Sequence, residues 1–273
     1  MIMEYKMDST AANPQKHSLT LDIFEEHLHR AIDKPTVNYR MVRVGPSRNG
    51  RGTKLKVHNG AHKATWAKTT INSRLRTINI DVYLNFKQNS LQQGDYLKLK
   101  TLAIAGIKQY WSNTITVAGV RFNVIVNPLH KSSSDAIPVD LEIEESESYG
   151  RSMNPAILGI DASFIYQRGA PRATEKQVDD EFKLVSAHEF GHSVLMYTGG
   201  ISMSWGHKGS TNVLLQNVKP STPGYPSSGR IDLMKYYDTN KRSPSAFQRV
   251  KNSAAIEIDI QRLIWSSKIV WTV

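Results

Sequence analysis

Apolar residues recur every three or four positions in LTLDIFEEHLHRAI (19–32), where Leu21, Phe24, Leu28 and Ile32 fall on one side of a predicted short helix. His27 and His29 lie two apart on it, so their side chains diverge and suit the surface better than a shared ion. The pattern then fades until TINIDVYLNF (77–86), which alternates and is rich in β-branched and aromatic residues, as a strand should be. Residues 95–111 predict a helix whose broad apolar face (Leu97, Leu99, Leu102, Ile104, Ala105, Ile107, Trp111) suits packing on a sheet. TITVAGVRFNVIVNPL (114–129) predicts a hairpin turning near Ala118 and Gly119, and VDLEIEES and ILGIDASFIY predict two more strands.

The next helix is predicted from about 175 to 198. Thr174 and Gln177 fit a capping box, Asp179, Asp180 and Glu181 complement the dipole near its start, and Val178, Phe182 and Val185 form its apolar stripe. Gly199 and Gly200 supply the stop. A loop-rich stretch between Pro220 and Gly229 leads to IDLMKYY. A last helix, from about 245 to 267, is expected to pack through Phe247, Val250, Ile256, Ile260, Leu263 and Ile264. Strands and helices in this order predict an α+β class, with a domain over 77–273 and a basic N-terminal region over 1–76.

Composition narrows the chemistry. The 273 residues are 40% hydrophobic and 22% charged, ordinary for a globular protein, and no apolar run approaches the ~18 residues of a membrane span. No cysteine is present, so thiol catalysis and cysteine-ligated zinc are excluded, and any metal must be held by His, Asp or Glu. MIMEYKMDSTAANPQKHS lacks the basic start and apolar core of a Sec signal, so synthesis in the cytoplasm is expected, with export by a signal-independent machine left open. The net charge of +11 is concentrated. Between Asp33 and Asp81 no acid occurs, while eleven Lys and Arg residues run from Lys34 to Arg76, and charges elsewhere roughly cancel. Gly45, Pro46, Gly50, Gly52 and Gly60 make this stretch read as solvated loops, although its field could hold an anionic surface or nucleic acid.

The chemistry centres on HEFGH at 188–192, an HExxH match inside the capped helix. One turn apart, His188 and His192 project the same way, so both imidazoles can converge on one Zn²⁺. Glu189, on the adjacent flank, can reach a water there without ligating the metal, which suits a general base. A catalytic zinc needs a third protein ligand. His207, in SMSWGHKGS after the glycine pair, leads; Asp232 is second, with Asp238, Glu257 and Asp259 behind. Tyr236 and Tyr237 could stabilise an oxyanion or serve packing alone. Ser186 and Ser193 lack the strand–turn–helix setting of a nucleophile elbow, and no P-loop or dinucleotide fingerprint occurs.

With HEFGH as its signature, the region from the first strand to the last helix resembles a zincin metallopeptidase. HEFGH, an HKGS-like segment and a DLM-containing segment in this order resemble zincin toxin domains delivered by bacterial contact-dependent or type VI secretion systems. The resemblance implies a mixed sheet packed on the HExxH helix with a C-terminal helix, Zn²⁺ as cofactor, His188, His192 and His207 as ligands and Glu189 as catalytic base. It further implies a protein or peptide substrate, an immunity protein or secretion-system carrier as partner, and action inside a target cell. IDLMKYY is similar to the methionine turn of metzincins, in which Met234 would form a floor beneath the metal. The chain departs from the metzincin pattern at Leu195, where a glycine is usual, and at Thr198, where the last histidine is usual. The rival expectation is a nucleic-acid or anionic-surface binding protein, its affinity in residues 34–76, with a structural or degenerate zinc site; nucleic acid is not among the partners expected for the peptidase.

Overall fold

The computed structural model describes residues 19–32, 42–44, 53–55, 64–147, 150, 152–154, 161–199, 208 and 220–272. The segment with the clearest alternation forms β4 (Thr77–Lys87), the middle of the main sheet, and buries Ile78, Ile80, Val82, Leu84 and Phe86. Along one edge runs antiparallel β3 (Ala67–Asn72), followed by β11 (Lys268–Thr272) parallel to it. Along the other, β6 (Val120–His130) pairs in parallel as far as Leu84, where parallel β7 (Ile137–Glu144) takes over. β5 (Asn113–Val117) forms an antiparallel hairpin with β6, and β8 (Ala162–Gln167) runs parallel to β7. The hairpin turns at Ala118 and Gly119, both at positive φ (48° and 79°), as a two-residue primed turn requires.

This seven-stranded mixed sheet carries helices, giving an α+β fold. α2 (Gln93–Trp111) packs on β6 and β7, and α3 (Glu175–Gly199) packs on α2 and β8. The two helices cross closely at Gly106, where a Cβ would lie 2.2 Å from the Lys183 carbonyl oxygen. α4 (Ala246–Asn252) and α5 (Glu257–Ser266) also reach α3. α1 (Leu21–Ala31) buries Phe24 edge-on against Phe122 and Trp271, each at 5.6 Å, so it belongs to the same core. Two small pairs complete the described elements. β1 (Val42–Val44) is antiparallel to β2 (Thr53–Leu55), and β9 (Ile231–Asp232) is parallel to β10 (Ser253–Ala254). Among the described residues no helix is long and apolar enough to cross a membrane.

Three expectations change. The core extends across the boundary expected at residue 77: β3 and α1 lie before it, and the Thr69 hydroxyl meets that of Ser267 at 2.5 Å. The last helix is not continuous. Residues 253–256 leave the helix because their backbone groups bond elsewhere: β10 pairs with β9, and the Ala255 N–H donates to the Tyr110 carbonyl at 2.8 Å. Phe247, expected to pack, is 72% exposed. Of the basic stretch, β1, β2 and residues 64–76 are described, and the loop reading of the rest lies outside the described residues.

Candidate metal centre

α3 is built to present HEFGH at a fixed rotation. Its start is a reciprocal cap: the Thr174 N–H donates to Gln177 Oε1 at 2.7 Å, and the Gln177 N–H donates to Thr174 Oγ1 at 3.3 Å. Ala187, Phe190, Val194 and Leu195 are buried on its inner side. There Phe190 meets Trp111 edge-on at 5.2 Å and Trp66 at 5.9 Å. The Trp111 Nε1–H donates to the Ala187 carbonyl at 2.9 Å, locking α2 to the turn that precedes His188.

With that face fixed, His188, Glu189 and His192 come together, their ligand atoms all within 4.8 Å of one another. The imidazoles stand 5.1 Å apart at 89°, and Glu189 Oε2 is 3.8 Å from His192 Nε2. Glu189 and His192 are buried and His188 is half-buried. His188 Nδ1 lies 2.7 Å from the Leu233 carbonyl oxygen. A carbonyl only accepts, so Nδ1 carries the proton and Nε2 is left as the ring atom that can ligate a metal, the orientation such a ligand needs. Two imidazoles beside a carboxylate are a donor set that fits Zn²⁺.

The segment that orients His188 also supports the helix from below. Met234 is fully buried against Gly191: a Cβ there would lie 2.2 Å from Met234 Sδ, so the thioether occupies the space a side chain at 191 would fill. Buried Asn154 clamps the other flank, its Nδ2 donating to the Glu189 carbonyl at 2.7 Å and to Ser193 Oγ at 2.8 Å. Neither Asn154 nor the Leu233 carbonyl carries a sequence signal, because each acts through a tertiary contact.

The three residues open onto a cleft of about 1080 Å³, also lined by Ser152–Asn154, Ile165, Tyr236 and residues of α4. The two tyrosines separate. Tyr236 lines the cleft, whereas Tyr237 stacks on Tyr225 at 4.5 Å and its hydroxyl accepts the Asp232 N–H at 3.1 Å. Burial pushes the Tyr237 phenol above its ordinary value.

His207 lies outside the described residues. The acids ranked behind it are described, and each is engaged elsewhere. Asp232 is paired with Lys208 at 2.7 Å, and Asp259 with Lys208 at 2.6 Å and Arg262 at 3.1 Å. Glu257 accepts the Thr116 N–H at 2.5 Å, and Asp238 the Asn240 N–H at 3.0 Å. Burial pushes the Asp259 carboxyl up, against the pull of Lys208. Among the described residues, His188, Glu189 and His192 are the group able to hold a metal. No protein family, curated protein or solved structure matches the chain.

Proposed function

We propose that this chain is a zinc-dependent peptidase of the zincin type, with His188, His192 and His207 as ligands and Glu189 as general base. The observation that carries the reading is the convergence of two imidazoles and a carboxylate on one helical turn, at the wall of a cleft large enough for a peptide. His207 is one peptide bond from Lys208, whose N–H donates to the Met234 carbonyl at 3.1 Å, beside the turn that orients His188. With Asp232 and Asp259 already bound to Lys208, His207 is favoured over an acid as third ligand.

When bound, zinc supplies Lewis acidity, polarising a carbonyl oxygen and acidifying water. Glu189, buried at the cleft wall, takes the proton from a water in the cleft and delivers it to the leaving amine. His188 is held in its ligating tautomer by Leu233, and Tyr236, which lines the cleft, would offer a phenol to a developing oxyanion. The toxin role, with a protein or peptide substrate and an immunity protein or secretion-system carrier as partner, rests on the order of HEFGH, the HKGS-like segment and the DLM segment.

The test is a metal analysis of the purified chain paired with a peptide-library cleavage assay of the wild type and Glu189→Gln. About one zinc per chain in both, with cleavage only in the wild type, is expected. Absence of zinc from the wild type, or cleavage by Glu189→Gln at the wild-type rate, would overturn the reading.

A further inference from the structure

α4 is firmly held yet leaves its largest apolar side chain outside the core. Ser245 and Gln248 close a capping box at its start, Arg249 reaches Glu181 on α3 at 3.1 Å, and the Val250 carbonyl accepts the Tyr110 hydroxyl at 2.9 Å. Phe247 is nonetheless the most exposed large apolar side chain among the described residues. A lone exposed ring is ordinary, but this one lines the cleft together with Val250 of its own helix and Val178, Phe182 and Val185 of α3.

The cleft follows α3. Val178, Phe182, Val185, Glu189 and His192 stand three or four positions apart, so one face of the helix lines it over about four turns, or roughly 21 Å. His188, Glu189 and His192 occupy one end of that face. Phe182 floors the other, buried edge-on against Tyr166 at 5.6 Å. Charges at this end neutralise one another, since Lys176 pairs with Asp180 and Arg249 with Glu181. A charged ligand group would have to break one of these pairs or use exposed Arg172, whereas an apolar group covers Phe247 without either.

We propose that this end of the cleft is a subsite for one large apolar side chain, Phe or Leu, of a peptide substrate, lying about three residues from the bond cleaved, with Phe247 as the residue that selects it. The Arg249–Glu181 pair sets the distance. Glu181 stands seven positions before His188, about 10 Å along the helix, and an extended peptide covers about 3.3 Å per residue. The distance rests on the peptidase reading; the preference rests on the lining alone.

The probe is a set of fluorescein-labelled octapeptide pools, each with Phe, Leu, Ala, Asp or Lys fixed at one position and the others randomised. Binding to Glu189→Gln, which should leave peptides intact, is read by fluorescence polarisation, and the products formed by the wild type are sequenced. At one position the Phe and Leu pools should bind about 10–100-fold more tightly than the Ala pool, the worth of burying one such side chain. Cleavage should fall about three residues from it. Adding Phe247→Ala should weaken binding of the Phe pool about 3–10-fold, the worth of one aromatic pair, and leave the Ala pool unchanged. Because Phe247 lies outside the core and alanine favours a helix, that substitution should not lower Tm. Equal binding of all pools, a preference for Asp through Arg172, a preference that survives Phe247→Ala, or one located directly beside the cut overturns the inference, and cleavage by the wild type then leaves the peptidase reading standing. An apolar preference removed by Phe247→Ala, in a protein that holds no zinc and cleaves nothing, supports the subsite and overturns the peptidase reading instead.

Discussion

Gly191→Ala tests the support beneath the HExxH turn directly. A Cβ at 191 would lie 2.2 Å from Met234 Sδ, 2.8 Å from Met234 Cε and 2.9 Å from Trp111 Cζ2. Ordinary contacts between such atoms fall near 3.5–4.0 Å, so the thioether must give by more than about 1 Å and the indole by roughly half that. A methionine on a surface would swing aside. Here Met234 is fully buried, and Trp111 is pinned through its hydrogen bond to the Ala187 carbonyl. Overpacking of this kind costs about 1–3 kcal/mol, and the fixed indole places it in the upper half of that range. Replacing glycine by alanine in a helix returns about 1 kcal/mol. The net loss is therefore about 1–2 kcal/mol, a fall in Tm of roughly 2–6 °C for a chain of this size. Denaturant titration should show a lower midpoint at unchanged slope. Adding Met234→Ala should relieve the clash, so the double mutant should lose at least about 1 kcal/mol less than the sum of the singles. A Tm equal to or above wild type for Gly191→Ala, or additivity in the cycle, would refute the proposed packing.

His188→Ala and His192→Ala should each abolish stoichiometric zinc, measured on the purified protein, because each removes one of two preorganised imidazoles. In a zinc titration, His207→Ala should weaken binding by orders of magnitude while Asp232→Ala leaves affinity largely intact; the opposite ranking would make an acid the third ligand. Asn154→Ala removes two buried hydrogen bonds to α3 and should cost about 1–3 kcal/mol in denaturant unfolding; a change below about 0.5 kcal/mol would show that the clamp does not hold the helix.

The parts of the molecule legible in the sequence are those whose signal is local. The alternation of β4, the turn at Ala118 and Gly119, and the cap formed by Thr174 and Gln177 lie within a few residues of what they specify. β3 and β11 escaped that reading. AKTTIN mixes lysine and threonine with few apolar positions, which hides β3 even though its partner β4 is adjacent, and β11 pairs with β3 across about 200 residues, which no short window contains. The break between α4 and α5 was hidden for the same reason. Residues 253–256 contain neither glycine nor proline, and the helix stops there because β9 and Tyr110 compete for its backbone.

The site divides along the same line. His188, Glu189 and His192 are set by the 3.6-residue turn, so the sequence alone brings them together. Everything that decides whether they can act is non-local. The tautomer of His188 depends on a carbonyl 45 positions later, and the path of the chain at Lys208 depends on Asp259, 51 positions later. The turn at 231–236 links these dependences, since Leu233 faces His188, Met234 faces Gly191, and Asp232 takes Lys208. A substitution at Met234, beneath the HExxH turn, should therefore disturb metal affinity and stability together, whereas one at Glu189, which is no ligand in the proposed centre, should disturb the chemistry alone.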